Sequence, residues 1–141
     1  MKRITPKVIK SLKENEVFVF GSNKQGRHGK GAALTARTKF GAIYGQARGL
    51  QGQSYAIVTK ELRSDYDAVT LEEVKGEVDI FIQFAKDNQN LTFYVVEIGC
   101  NLAYITPEEI SPLFREAKKL KNVYLPERFL NILQQGFTLW N

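Results

Sequence analysis

Residues 17–34 read VFVFGSNKQGRHGKGAAL, and this stretch decides the fold of the chain. The apolar run over residues 17–22 predicts a buried strand, and the pattern that follows the loop predicts a helix over Gly31–Lys39. The loop between them holds three glycines and three cations, namely Gly26, Gly29, Gly31, Lys24, Arg27 and Lys30. Glycine lets backbone N–H groups approach a ligand closely, and a helix N-terminus adds partial positive charge. The stretch therefore predicts an anion site suited to phosphate.

Two well-known phosphate loops do not fit this spacing. The Walker loop requires serine or threonine after Gly-Lys, but Gly31 follows Lys30 here. The Rossmann fingerprint fails because the glycines stand at positions 26, 29 and 31, and no acidic residue ends a second strand about twenty residues later. A tight strand-to-helix turn that uses glycine only for its positive φ is the simpler alternative. Eight of the eleven glycines fall between Gly21 and Gly52, and this concentration favours a ligand site.

The composition is that of one globular domain. A chain of 141 residues can bury a core without disulfides, so we expect a single domain over residues 1–141. No apolar run approaches the ~20 residues that cross a bilayer, and residues 1–7 lack the apolar stretch of a secretion signal. Cys100 is the single cysteine and His28 the single histidine, which leaves too few ligands for zinc. We expect a cytoplasmic protein with no membrane association, metal or cofactor.

Charge is distributed unevenly along the chain. Residues 1–63 hold thirteen lysines and arginines against three glutamates, a net charge of +10, whereas residues 64–141 carry −5. The basic half contains the glycine loop, so its field favours an anionic ligand and could also attract nucleic acid. A solvated basic surface explains the charge equally well, since no Lys/Arg run is interleaved with aromatic residues as in many single-strand binders.

The rest of the sequence alternates between helical and strand patterns. The further predicted helices cover residues 6–13, 71–88, 106–118 and 126–135, and the further predicted strands cover residues 54–60, 91–98 and 122–125. Residues 41–53 are too rich in glycine for a regular element and are expected to wrap the site. Strands separated by helices predict an α/β fold with a mixed, mainly parallel sheet flanked by helices.

Three strand ends of the predicted sheet carry polar or glycine-rich sequence. They are the loop over residues 22–31, Lys60 at the end of the second strand, and Gly99 at the end of the third. Ligands of parallel α/β sheets bind at the carboxyl ends of the strands. Two loops with backbone donors and a lysine between them predict a diphosphate ligand with a reactive group nearby.

These motifs together resemble the macrodomains. The motifs are GRHGKGAA at residues 26–33, VTK at 58–60, IGCNL at 98–102 and ISPLF at 110–114. Their order over roughly residues 17–125 looks most similar to the branch of terminal ADP-ribose protein glycohydrolases and DNA ADP-ribosyl glycohydrolase antitoxins, and to its uncharacterised bacterial and phage relatives. The resemblance implies a three-layer, macrodomain-like sandwich that binds ADP-ribose or an ADP-ribosylated macromolecule.

The resemblance also implies roles for individual residues. Lys60 matches the catalytic lysine of the branch, whose amine attacks the anomeric carbon of the distal ribose in its neutral form. Asn23 would lie near the distal ribose. Apart from the resemblance, Tyr104 follows the second loop, and its position makes it either a core residue or an aromatic platform for adenine or ribose. The two implied phosphate loops consist of Gly29, Lys30, Gly31 and Ala32, and of Gly99, Cys100, Asn101, Leu102 and Ala103.

The second loop departs from the pattern of the branch at two positions. Ala103 stands where the protein-directed enzymes carry an aspartate that assists the lysine, and Asn101 replaces the usual glycine. Asp65 or Asp67 could substitute for that aspartate from the loop after Lys60. The departures favour turnover of DNA-linked over protein-linked ADP-ribose.

Four functions follow from these patterns. The main hypothesis is an ADP-ribose-binding protein with glycohydrolase activity through Lys60. A non-catalytic binder of ADP-ribose or another NAD-derived nucleotide and a basic nucleic-acid-binding domain are the alternatives. A cysteine hydrolase built on Cys100 and His28 is the weakest hypothesis, because no third residue is identified that would orient the pair.

Overall fold

A computed structural model describes residues 2–99 and 105–140 of the chain. The strands are β1 (Glu16–Asn23), β2 (Gly49–Gln51), β3 (Ser54–Lys60), β4 (Thr92–Val95) and β5 (Val123–Tyr124). The helices are α1 (Gly31–Lys39), α2 (Leu71–Asp87), α3 (Pro107–Ile110) and α4 (Glu127–Trp140), with two 3₁₀ turns at Ser111–Phe114 and Ala117–Lys119. Within these residues, no helix is both long and apolar enough to span a bilayer.

The five strands form one sheet in the order β2-β3-β1-β4-β5. β1 lies at the centre and pairs in parallel with β3 and β4, β4 pairs in parallel with β5, and β2 is antiparallel to β3. The expected mixed, mainly parallel sheet is therefore confirmed. Because β1, β3 and β4 run in the same direction, their carboxyl ends meet at one edge of the sheet.

Central strand β1 is apolar on both of its faces. Val17 and Val19 belong to a core cluster shared with α2 and α4, whereas Phe18 and Phe20 belong to a second cluster on the opposite face, shared with α1. Side chains alternate between the faces of a strand, so a run of four buried residues requires a covering layer on each side. The helices on both faces give the expected three-layer sandwich.

The N-terminal segment contains no helix, contrary to the prediction for residues 6–13. Thr5, which directly precedes the predicted helix, instead donates its hydroxyl to the Val95 carbonyl at 2.7 Å. Ile4 forms a parallel bridge with Leu125, and Ile9 and Leu12 pack on the cluster beside α1. Tertiary contacts of an extended segment therefore outweigh the local helix signal.

Three predicted boundaries shift for local reasons. The helix predicted over residues 106–118 begins with a Thr106–Glu109 capping box but ends at Ile110, because Pro112 has no N–H for an α-helical bond, and two 3₁₀ turns follow. The strand predicted over residues 91–98 pairs only to Val95, and α4 continues past the predicted stop at residue 135. The predicted bounds of α1 and β3 are confirmed.

Residues 41–53 pack behind the first loop and do not line its pocket, contrary to the expectation that they wrap the site. The Gly45 amide donates to the Gly26 carbonyl at 2.8 Å, and residues 49–51 form β2, which the sequence did not predict. A Cβ atom at Gly26 would stand 2.5 Å from the Gly45 carbonyl carbon, and Gly26 has a φ of +67°. Glycine at position 26 is what allows this close approach.

The Gly26 contact predicts a difference between two matched alanine variants. Gly45 also has a positive φ, of +96°, but an added Cβ there meets no atom within 4 Å. Gly45→Ala should cost about 1 kcal/mol through backbone strain alone, whereas Gly26→Ala should cost more than about 2 kcal/mol through strain and collision. Urea unfolding measures both free energies, and equal losses would contradict the contact.

Candidate functional site

The carboxyl ends of β1, β3 and β4 surround a pocket of about 410 Å³. This volume lies within the range of about 300–1,000 Å³ that is usual for small-molecule sites. Seven of the residues that the sequence singled out line it, namely Asn23, Gly29, Lys30, Gly31, Ala32, Lys60 and Gly99. The three separate motifs thus converge on one cavity, as the parallel topology requires.

The remaining predicted residues of the second loop, Cys100, Asn101, Leu102, Ala103 and Tyr104, lie outside the described residues. Because Cys100 is one of these residues, the structure gives no geometry for the cysteine-hydrolase hypothesis. The residues that flank this segment are held together, since the Ile105 amide donates to the Gly99 carbonyl at 3.0 Å. Gly99 has a φ of +78°, which favours glycine at this position.

Asn23 organises the first loop through its side-chain amide. Its Nδ2 donates to the Arg27 carbonyl at 2.8 Å, and its Oδ1 accepts from the Arg27 amide at 2.9 Å. This pair of bonds closes a tight turn after β1 and places Arg27 and Gly29 along the pocket. Asn23 therefore holds the loop in shape and also lines the pocket. The resemblance to the macrodomains did not imply the first of these roles.

His28 anchors the same loop to the core. Its ring is fully buried, packs edge-on against Phe20 with the ring centroids 5.2 Å apart, and places Nε2 3.3 Å from the Ser22 hydroxyl. Nδ1 has no hydrogen-bond partner among the described residues. Burial lowers the pKa of His28, the charge of Arg37 adds to this effect, and the nearby Gln46 backbone opposes it. A neutral ring therefore holds the loop.

The N-terminus of α1 opens directly into the pocket. The helices α2 and α3 both begin with a capping box, made by Thr70 with Glu73 and by Thr106 with Glu109. In α1 the cap residue is Lys30, which makes no capping hydrogen bond, and the first turn carries no acidic residue. The first-turn N–H groups of α1 are thus available to an anion in the pocket.

Lys60 lies at the end of β3, beside Asn23 of β1 in the strand register. The residues after it are fixed by Glu61, whose side chain is only 1% exposed. Glu61 accepts hydrogen bonds from the Arg63 guanidinium at 3.0 Å and from the Gln25 amide, and these donors lower the pKa of Glu61 to about 2. The network joins the loop after Lys60 to the loop after β1.

The charged groups of the pocket lining are mostly cationic. Arg27, Lys30 and Lys60 contribute positive charge, and the one carboxylate among the described lining residues is that of Glu97, which pairs with Arg128 at 3.6 Å. Neither Asp65 nor Asp67, the suggested substitutes for the missing aspartate, is among the lining residues that the structure describes. The electrostatic field of the lining favours an anion.

A second cavity, of about 600 Å³, adjoins the first and was not predicted from the sequence. Val96 and Glu97 line both cavities. The rest of its lining comes from residues 4–7 of the N-terminal segment and from the start of α4, including Arg128 and Asn131. No local motif marks this cavity, because it depends on the extended path of a segment that was expected to be helical.

Among solved structures, a macrodomain protein from Streptomyces coelicolor matches this chain with a TM-score of 0.55. The match covers 84% of this chain and 92% of that protein. The chain has a macrodomain-like fold. The sequences are 13% identical, so the likeness concerns architecture alone, and neither a protein-family profile nor a curated protein matches the sequence.

The buried neutral His28 predicts acid sensitivity of the macrodomain-like fold. Its folded-state pKa lies below about 6.5, so the unfolded chain binds the proton more readily. Its contribution to stability is complete above pH 6.5 and is lost as the pH falls towards the folded-state pKa. Relative to His28→Gln, the free energy of unfolding of the wild type should decrease as the pH falls from 7.5 to 5.5, measured by urea unfolding at each pH. If the free energies of unfolding of the two proteins changed with pH in parallel, this role of His28 would be ruled out.

Proposed function

We propose that the protein binds ADP-ribose or a closely related NAD-derived nucleotide in the two adjoining cavities. The observation that carries this proposal is the convergence of Lys30, Lys60 and the uncapped start of α1 on one pocket at the strand ends. Such an arrangement favours a diphosphate. The macrodomain-like fold and the motifs quoted above support ADP-ribose as the particular ligand.

The shape of the cavities supports the same ligand class. ADP-ribose has two sugar-containing ends joined by a diphosphate, and the two cavities, here called the first and second lobes, share the lining residues Val96 and Glu97. The glycine-rich first lobe suits the diphosphate and distal ribose. The second lobe, between the N-terminal segment and α4, has space for the nucleoside end.

Isothermal titration with ADP-ribose, AMP, ribose 5-phosphate and adenosine tests the two-lobe assignment. ADP-ribose should bind at least about tenfold more tightly than either half, because its diphosphate contacts the first lobe while its base occupies the second. Equal affinity for adenosine and ADP-ribose would contradict a phosphate-binding first lobe.

Two variants separate the lobes. Gly29 lines the first lobe and an added Cβ there meets no atom within 4 Å, so Gly29→Val should weaken ADP-ribose binding at least about tenfold without unfolding the protein. Gly76→Val is the matched control, since an added Cβ at Gly76 also meets no atom and Gly76 lies in α2. Asn131→Trp, at an exposed position in the second lobe, should weaken the binding of AMP but not that of ribose 5-phosphate.

We also propose that Lys60 acts as a nucleophile towards ADP-ribosylated substrates. Its position in the first lobe, beside Asn23 in the strand register, favours this second function. The neutral amine would form a bond to the anomeric carbon of the distal ribose, the bond to the modified group would break, and the departing group would take up a proton. Water would then release ADP-ribose and restore the amine.

Turnover assays on ADP-ribosylated DNA and on protein modified at acidic side chains distinguish an enzyme from a binder. Lys60→Ala should abolish release of ADP-ribose while changing the Kd for free ADP-ribose by less than about threefold, because the amine acts on the reacting carbon. Lys60→Arg should also be inactive, since a guanidinium stays protonated.

Lys24→Ala provides the control, because Lys24 lies at the start of the loop, pairs with Glu73 at 3.5 Å and does not line the pocket. It should retain full turnover. A wild-type protein that binds ADP-ribose but releases none from either substrate would instead support the non-catalytic binder.

A further inference from the structure

The two outer layers of the sandwich carry opposite net charge. Residues 7–15 and 24–48, which include α1, hold nine lysines and arginines and a single acidic residue, Glu14. Residues 71–87 and 105–135, which supply the opposite layer, hold seven basic and nine acidic residues. The charge asymmetry along the sequence therefore becomes an asymmetry between two faces of the folded protein.

The basic residues of the first layer share one side of the sheet. Ile9 and Leu12 of the N-terminal segment pack on the same core cluster as Ala33 and Ala36 of α1, so the segment and the helix lie over the same face. Seven exposed cations project from this layer, namely Lys7, Lys10, Lys13, Arg27, Lys30, Arg37 and Lys39. We refer to these seven residues as the basic face.

None of the seven has a carboxylate within ion-pair distance in the part of the chain that the structure describes. The neighbouring Lys24 and Arg48, by contrast, pair with Glu73 and Glu77 of α2. The charge of the basic face is thus not neutralised from within, and a polyanion could release counterions by binding there.

An exposed aromatic ring lies beside the basic face. Tyr44 is 57% exposed, and the Arg37 guanidinium lies over its ring with Cζ 5.6 Å from the ring centroid. Its neighbour Gly45 is bonded to Gly26, which places Tyr44 close to the loop that carries Arg27 and Lys30. Arg37 and Tyr44 are seven residues apart in sequence, so no interleaved basic and aromatic run reveals them.

We propose that the basic face binds single-stranded nucleic acid, with its phosphates along the seven cations and an unpaired base on Tyr44. Stacking on an aromatic ring is sequence-tolerant and requires a base that is not already paired, which favours a single strand over a duplex. Arg27 and Lys30 of the basic face line the first ADP-ribose cavity and Lys7 lines the second, whereas Arg37, Lys39 and Tyr44 line neither. Variants at these last three positions therefore test the surface separately from the proposed function.

Fluorescence anisotropy with labelled dT20 and U20 oligonucleotides, over a range of salt concentrations, tests the proposal. If about five phosphates are neutralised, a plot of the logarithm of the association constant against the logarithm of the salt concentration should have a slope of about −3.5. Replacing two cations with Arg37→Glu and Lys39→Glu should reduce that slope by about 1.4 and lower affinity more than about tenfold at low salt.

The control is Lys86→Glu with Lys121→Glu, which makes the same change in net charge at exposed positions outside the basic face. It should leave most of the affinity intact, and an equal loss would mean that only net charge matters, which overturns the proposal. Tyr44→Ala should weaken binding at least about fivefold without altering the salt slope, because stacking releases no counterions.

Three comparisons complete the test. A duplex of equal length bound as tightly as dT20, or no effect of Tyr44→Ala, would overturn the single-strand assignment. Equal binding of vesicles containing 30% phosphatidylserine would overturn nucleic acid as the partner. Titration of the Arg37→Glu, Lys39→Glu protein with ADP-ribose should give the wild-type Kd, so a failure of oligonucleotide binding remains distinct from a failure of the pocket.

Discussion

Strand β1 is buried on both faces, and this burial determines where the helices and the loops can lie. Its four consecutive apolar residues cannot face water on either side, so one layer must contain α1 and the other α2 and α4. The helices occupy both faces of the sheet, and the polar loops can lie only at its ends. The pocket is a consequence of this arrangement, because β1, β3 and β4 all end at the same edge.

The loop after β1 is held by three different kinds of contact. Asn23 closes the turn through two hydrogen bonds, Gly26 permits close backbone contact with Gly45, and His28 buries its ring on Phe20. Each contact lies behind or within the loop and leaves Gly29 and Lys30 at the pocket. A loop fixed in this way loses little conformational freedom when a ligand binds, which favours affinity.

The sequence predicted the parts of the structure that depend on local pattern. Alternating burial, the glycine spacing and the bounds of α1 are local properties, and the three strand-end motifs predicted one shared pocket. The N-terminal segment was predicted wrongly because Thr5 bonds to distant Val95, a contact that no short window contains. The second cavity was missed for the same reason, since residues far apart in sequence, such as Lys7 and Asn131, line it together only in the folded chain.

Val96 and Glu97 line both lobes, so one ligand could place an end in each of them. A molecule whose ends are covalently joined places its second end at a high effective concentration once the first is bound. Each lobe can then be a weak and rapidly exchanging site by itself. The joined molecule would still be retained, because both ends must dissociate together before it can leave.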